Sequence, residues 1–310
     1  MRALVTGGAG FIGSNLTDAL LARGDEVVVV DDLSTGRREN LEQGLANGAT
    51  LIDADIRDRA AIEEIAGRER PDVIFHLAAQ IDVRRSVADP AFDAAINIGG
   101  TANVLEAARA AEVRRVVFSS TGGAIYGEGD GQELPLREDA PLAPEAPYGQ
   151  SKFAGEGYLS LYERLYGLST VPLRLGNVYG PRQDPLGEAG VIAIFCGRLR
   201  EGKQPTVFGD GKQTRDYIYV GDVVSAMLAA AEAETSGPIN IGTGIETDVL
   251  ELVSALGELG GAGDFEPEFA PARTGEVQRI SIDPARAERE LGWRAQMDLK
   301  EGLRVTLDSI

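Results

Sequence analysis

Cysteine and histidine are nearly missing from this chain: one of each, Cys196 and His76, in 310 residues. A lone cysteine excludes an intramolecular disulfide and any cysteine-cluster metal site. Set in the apolar run VIAIFCGRL, Cys196 reads as an interior helix residue. A metal centre needs several imidazoles or a carboxylate cluster, and the sequence offers neither, so no metal is expected. Long apolar runs are also lacking, and none approaches the roughly 20 residues that cross a bilayer. The chain passes from Met-Arg-Ala straight into a β-rich stretch, which argues against a signal peptide and for a cytoplasmic protein. Positive charge is scarce as well. Lys and Arg number 30 against 49 Asp and Glu, a formal net charge of −19. That field repels nucleic acid and anionic membrane, so neither is expected as a partner. An anionic ligand would need a few arginines gathered into a local positive pocket. Internal repeats, low-complexity tracts and Pro- or Ser-rich linkers are absent too, so any two lobes should pack tightly.

What is present is alternation. RALVTG, EVVVVDD, ATLIDAD, DVIFHLAA, RRVVFSS and STVPLRLGN read as strands. Helical spacing fills the gaps: residues 11–23 with Ile12, Leu16 and Leu20, then AAIEEIAGRER closed off by Pro71, then 91–111 and 148–166. Strand–helix alternation predicts a parallel sheet covered on both faces and joined by right-handed crossovers. After about residue 176 the loops lengthen and the helices shorten, until GPINIGTG reads as one more buried strand. The expected organisation is a first domain over 1–175, to which 217–242 returns, and a smaller discontinuous α/β lobe over 176–216 and 243–310.

The stretch LVTGGAGFIG places Gly7, Gly10 and Gly13 between the first strand and the first helix. Glycines so spaced allow a tight turn, close approach of a pyrophosphate to the backbone, and close packing of helix on strand. The helix N-terminus offers free N–H groups and partial positive charge to phosphates. The second strand ends in Asp31, 18 positions beyond Gly13. A carboxylate there can accept both adenosine ribose hydroxyls and repels a 2′-phosphate, which favours NAD over NADP. Arg37 and Arg38, in LSTGRREN, pull slightly the other way. DADIRD puts Asp55 and Ile56 near an adenine, and HLAAQ brings the small Ala78 and Ala79 to the cofactor. His76, at that strand's end, reads as a hydrogen-bonded residue of the interior.

APYGQSKFAGEGY carries Tyr148 and Lys152 four apart, on one helix face. An ammonium beside a phenol favours the phenolate, and a nicotinamide cation adds to that, making the tyrosine a usable base. VVFSSTGG ends a strand with Ser119, Ser120 and Thr121, any of which can supply a hydroxyl.

In order, TGGAGFIG, HLAAQ, FSSTGGAIYGE, PYGQSK and LRLGNVYGPRQ resemble the extended short-chain dehydrogenase/reductase superfamily. GEAGVIAIF, VFGDGKQTRDYIYVGDV and NIGTG narrow the resemblance to the UDP-glucose 4-epimerase family, also called UDP-galactose 4-epimerases, over residues 1 to about 295. The resemblance implies a Rossmann-type, doubly wound parallel sheet with a smaller substrate lobe. It also implies an NAD that stays bound and is not consumed. Tyr148 would take the proton from the sugar's carbon-4 hydroxyl while hydride passes to the nicotinamide. A 4-keto sugar then turns over and regains the hydride on its other face. Lys152 would tune Tyr148 and hold the nicotinamide ribose. Thr121 would hydrogen-bond the carbon-4 oxygen, with Ser120 as the second candidate, because TGGAIYG is one residue longer than the usual loop. The implied cofactor track further includes Phe11, Ile12, Asp32, Ser34, Thr35, Gly36, Leu77 and Asn97. On the substrate side the resemblance implies Arg215 and Arg273 as the clamp on the diphosphate. Asn177 would lie at the phosphate–sugar junction, Val191 elsewhere in the substrate site, and Thr206 and Phe208 along the uracil. Glu276 stands where an aspartate often holds the uridine ribose. Family members pair as homodimers through helices matching 91–111 and 148–166.

Other members of the superfamily stay in view. A sugar-nucleotide 4,6-dehydratase needs an acid–base pair directly after the threonine, and here Gly122 and Gly123 follow. UDP-glucuronate and UDP-N-acetylglucosamine 4-epimerases remain open; Ile280 aligns near the N-acetyl gate and has medium bulk. A catalytically silent NAD-binding protein would usually lack the tyrosine or the lysine, and both are kept.

Overall fold

The valine-rich runs form the strands their composition calls for. The computed structural model describes residues 1–129, 131–185, 190–261, 265–272 and 277–310. Strands β1 (Arg2–Thr6), β2 (Glu26–Asp31), β3 (Thr50–Asp53), β4 (Val73–His76), β5 (Arg115–Thr121) and β6 (Ser169–Leu175) are followed by β7 (Asn177–Tyr179), β8 (Thr206–Phe208), β9 (Thr214–Arg215), β10 (Tyr217–Tyr219), β11 (Ile239–Ile241), β12 (Thr247–Asp248) and β13 (Glu268–Ala270). Among the described residues, a seven-stranded parallel sheet runs in the order β11-β6-β5-β4-β1-β2-β3. This is the doubly wound Rossmann-like α/β fold. Val5 sits between Val29 and Phe75 in register, and all three are fully buried. Both sheet faces are covered. Leu16, Leu20, Met227 and Ala230 pack on one, and Ile62, Val104, Leu105 and Leu159 on the other.

The chain winds outward from β1 to β3, then crosses back to lay β4 on the other side of β1. The strand order therefore reverses between β1 and β4. Loops leave in opposite directions there and open a crevice at the carboxyl ends of the strands. Helix Phe11–Ala22 follows β1, and helix Pro147–Tyr166 lies between β5 and β6.

The helix expected over 91–111 is interrupted. Pro90–Ala94 leads into a wider π turn, Ala95–Gly100, and then into Thr101–Ala110. The Asn97 side chain bonds the Gln80 backbone, and the Thr101 hydroxyl donates to the Asn97 carbonyl at 2.6 Å. A Cβ on Gly100 would lie 2.4 Å from Ile56 Cδ1, so the widened turn is seated directly on the loop after β3.

The remaining strands form short pairs: β7 with β10, β8 with β13, and β9 with β12. Helices Val191–Arg200, Val249–Gly260 and Leu299–Ser309 close around Ile192, Phe195, Val207, Leu252 and Leu303, with Cys196 fully buried among them. Strand β10 thus lies outside the main sheet. The return to that sheet is made by helix Val220–Glu232 and by β11. Asp216 joins these parts. Its buried carboxylate accepts from the Thr243 amide and hydroxyl, the Gly244 amide and the Ile282 amide. No helix of the described residues is long and apolar enough to cross a membrane.

Candidate active site

The three spaced glycines divide by what surrounds them. Gly7 has φ +70°, and a Cβ there would lie 2.6 Å from the Ala78 amide nitrogen. A Cβ on Gly13 would lie 2.2 Å from the Gly7 carbonyl oxygen. Both are required by the chain's own packing. At Gly10 a Cβ would meet only the Gly7 oxygen, at 3.2 Å, and otherwise open space. Helix Phe11–Ala22 starts at Gly10 without a side-chain cap, so the first N–H groups, beginning at Phe11 and Ile12, are available to an anion.

Asp31 ends β2 in the same crevice. Its carboxylate accepts from the Ala9 and Leu33 amides, each at 2.9 Å, and a Cβ on Gly36 would crowd it at 2.7 Å. Burial pushes the carboxyl up. Each oxygen keeps a further lone pair for a ligand hydroxyl. Asp32 turns to its own loop and accepts from the Ser34 amide and hydroxyl; Thr35 is exposed. Arg37 pairs with Asp184, and Arg38 is exposed. Asp55 is held by Arg57, whose guanidinium keeps its carboxyl low, while Ile56 is buried against Gly100. Leu77, Ala78 and Ala79 follow β4, with the Leu77 and Ala78 amides donating to the Thr6 hydroxyl. His76 is fully buried between the Thr6 and Thr101 hydroxyls at 2.7 and 3.0 Å. Burial and the nearby Lys152 charge lower its pKa to about 3, so the imidazole is neutral.

Helix Pro147–Tyr166 brings its tyrosine and lysine to this crevice. Pro147 occupies the first turn, and the Tyr148 amide donates to Ser86 Oγ at 3.1 Å. Burial raises the phenol to about 12; a hydrogen bond with the Thr121 side chain pulls it down, and the Asp93 charge pushes it up. Lys152 is buried, and its Nζ donates to the Ser119 carbonyl at 2.8 Å and stands 4.8 Å over the Phe118 ring. Desolvation lowers the ammonium to about 8. Lys152 by itself therefore does not bring the phenol toward neutrality, because its ammonium is turned to the end of β5 and burial dominates.

Pleating separates the two candidate hydroxyls. Thr121 is the one beside the phenol. Ser120 points to the opposite side of β5 and donates to Glu156 at 2.6 Å. It is thereby withdrawn from the Tyr148 side into a buried network, where Glu156 pairs with Arg174 at 2.7 Å and Arg174 donates to the Tyr126 hydroxyl at 2.8 Å. Thus Ser120, expected as a second catalytic hydroxyl, has its hydroxyl committed to holding an ion pair.

After β5, the Asn177 side-chain oxygen would lie 3.2 Å from a Cβ on Gly123, and a Cβ on Gly122 would lie 2.7 Å from Ile282. Arg215 on β9 donates to the Thr214 carbonyl at 2.8 Å and is half-buried. Next to it, Glu246 accepts from the Thr214 hydroxyl and pairs with Arg279. Thr206 and Phe208 bound β8, and Val191 opens its helix; all three are half-buried. Ile280 is buried with Ile125, Tyr126, Leu136 and Ile282. Arg273 and Glu276 lie outside the described residues.

Sequence reasoning missed a buried polar web behind the tyrosine. Asn97 Nδ2 donates to the Gln80 carbonyl, Asp93 and Ser151 Oγ, and Ser151 donates to the Tyr148 carbonyl. Asp93 and Asn97 stand four apart before a glycine pair, and Gln80 closes HLAAQ; that spacing was the available signal.

Three kinds of comparison bear on this geometry. The profile of the NAD dependent epimerase/dehydratase family matches residues 3–242. A UDP-glucose 4-epimerase of Mycolicibacterium smegmatis is 49% identical over 310 residues, covering 99% of this chain and 98% of that protein. The crystal structure of a Thermotoga maritima UDP-glucose 4-epimerase with UDP-glucose superposes with a TM-score of 0.96 at 46% identity, over 100% of this chain and 98% of that one. A Thermus thermophilus UDP-glucose 4-epimerase in complex with NAD gives 0.92 at 45% identity, over 100% and 98% of the two chains.

Proposed function

The chain belongs to the NAD dependent epimerase/dehydratase family, and from that membership we propose that it is an isomerase that uses NAD to interconvert UDP-glucose and UDP-galactose. One observation carries the reading. Tyr148 and Lys152 stand on one helix face, with the Thr121 side chain on the phenol, beside the glycine crevice.

The residues of that crevice fit a dinucleotide. Gly10 leaves space where a side chain would stand, the helix behind it is uncapped, and Asp31 is a buried acceptor at the end of β2. Bound NAD supplies the redox chemistry, oxidation of the sugar's carbon 4 and its later re-reduction. The chain's own residues manage the proton and the orientation. Tyr148 takes the proton of the carbon-4 hydroxyl and returns it once the sugar presents its other face. Thr121 holds the same oxygen. Lys152, an ammonium below about pH 8 on the same helix face, holds the nicotinamide ribose and adds its positive charge to that of the cofactor in favouring the phenolate. Arg215 and Arg273 take the diphosphate, Thr206 and Phe208 the base, and Glu276 the nucleotide's ribose.

Against a dehydratase stand Gly122 and Gly123 themselves, which supply neither acid nor base after Thr121; a Cβ at either would press on the side chain of Ile282 or Asn177, at 2.7 and 3.2 Å. Assembly as a homodimer is supported by Val87, Phe153, Tyr158, Leu165 and Tyr166, apolar side chains exposed on or beside helix Pro147–Tyr166. With its acidic surface and lone buried thiol, the enzyme works in the cytoplasm.

The test is direct. Purified protein, given UDP-galactose and no added cofactor, forms UDP-glucose. Tyr148→Phe lowers turnover by at least about 100-fold while NAD stays bound. Near-normal turnover in that variant removes the tyrosine from the reaction. A higher kcat/KM on UDP-glucuronate or UDP-N-acetylglucosamine overturns the sugar assignment.

A further inference from the structure

Asp93 is a buried carboxylate for which the sequence suggested no task. It is 1% exposed, on the helix that packs against the tyrosine helix. Its Oδ1 accepts from Gln80 Nε2 at 3.0 Å and from Asn97 Nδ2 at 3.1 Å. Its Oδ2 is buried and accepts no hydrogen bond from any described residue. A buried, half-bonded carboxylate costs stability and calls for an explanation.

Its neighbours supply one. The Asp93 charge acts on both Tyr148 and Lys152. Lys152 sits in an apolar site that disfavours its ammonium, and two carboxylates oppose that, Asp93 first and Glu156 second. Glu156 is already matched by the Arg174 guanidinium, which approaches it with two nitrogens. Asp93 is matched by amides alone. Among the described residues no cation is hydrogen-bonded to Asp93, and Arg57 lies over the Phe92 ring next to it at 5.8 Å. His76 is neutral, Asp82 and Asp89 cap the helices that follow them, and Arg84 and Arg85 are exposed, Arg85 lying over the Phe92 ring.

We propose that Asp93 is a positioning residue for the Tyr148–Lys152 pair: its carboxylate is the counter-ion that keeps Lys152 an ammonium, and through Asn97 and Ser151 it fixes the turn that carries Tyr148. The inference rests on the proposed roles of Tyr148 and Lys152. The structure also assigns the direction of the effect. A negative charge near both groups holds their protons more tightly, so it raises both pKa values together. Removing it moves the whole pH profile toward acid instead of narrowing it.

Asp93→Asn tests this with little change of shape, since an Asn oxygen can keep both amide donors while the charge disappears. Tyrosinate absorbance is titrated on the NAD-bound protein, with Tyr148→Phe as the reference, and needs no turnover. We expect the Tyr148 midpoint to fall by about 1 pH unit. The alkaline limb of kcat against pH falls with it, so the deficit relative to wild type is larger at pH 9 than at pH 6. Gln80→Met removes a hydrogen bond to Asp93 but keeps the charge, and leaves the midpoint in place. Equal shifts in Asp93→Asn and Gln80→Met, or no shift in Asp93→Asn, overturn the proposal. If wild type fails to epimerise UDP-galactose yet the midpoint moves, the functional reading fails and the Asp93 inference stands. With normal epimerisation and an unmoved midpoint, the functional reading stands and the Asp93 inference fails. Should Asp93→Asn not accumulate as folded protein, stability supplies the answer. The double variant Asp93→Asn/Lys152→Met melts above Lys152→Met alone, in which the Asp93 charge is left without its cation. A double variant that melts lower overturns the proposal.

Discussion

Because the chain has one histidine, its folding should carry a proton linkage that belongs to a single side chain. His76 is 1% exposed, both ring nitrogens are engaged by threonine hydroxyls, and its pKa in the fold is about 3 against 6.5 in the unfolded chain. Below pH 6.5 the unfolded state takes up a proton that the folded state refuses. Stability from this group is therefore complete above about pH 6.5 and falls with pH until the folded value is reached. Between pH 7.5 and pH 5 the loss is about 2 kcal/mol, or roughly 3 °C in melting temperature for a chain of this size. Asp31 and Asp216, whose carboxyls burial pushes up, act in the opposite sense. The measurement is accordingly a difference. Melting temperature is followed from pH 7.5 to pH 5 at constant saturating NAD, in wild type and in His76→Asn. Wild type loses more with falling pH, by roughly the stated amount, whatever the offset between the two proteins at pH 7.5. Proton NMR gives a second reading, since the lone imidazole signal should not shift over that range. Parallel melting curves, or an imidazole signal titrating with a midpoint near 6.5, would refute the reasoning.

Two further outcomes follow from buried carboxylates. Asp31→Ala should weaken NAD and improve NADP relative to it, measured as the ratio of dissociation constants; an unchanged ratio removes the argument from the end of β2. Glu156→Gln strips the charge from an ion pair whose side chains are only 3% and 7% exposed, leaving Arg174 buried with a neutral partner. Breaking such a pair costs about 3–5 kcal/mol, so a melting temperature lower by roughly 5 °C is expected, and a change of about 1 °C or less would show that the network carries no such weight.

Much of the fold was legible because its signals are local. EVVVVDD has no polar face, and such a strand is stable only between two covered faces, as in a parallel sheet. Gly7 and Gly13 were legible as a strand–helix turn, and the structure adds why nothing larger fits: backbone atoms of Ala78 and Gly7 occupy the space. Tyr148 and Lys152 were legible as a pair through their four-residue spacing. Where that lysine points was not, since the Ser119 carbonyl that receives it comes from another element. Likewise, Ser120 and Thr121 could not be told apart along the chain. Adjacent strand residues face opposite ways, and only the position of Glu156 shows which way is which.

By itself, the sequence determined the alternating α/β architecture, the glycine turn with its acidic strand end, and the membership of Tyr148 and Lys152 in one helical face. These follow from periodicity, backbone sterics and spacing, which act over a few residues. The tertiary structure alone decided which charges are buried together. Asp93 meets the Tyr148 helix from 55 positions away and Arg174 meets Glu156 from the next strand. Electrostatic energy depends on distance through space and on exclusion of water, and neither quantity is written in the order of residues.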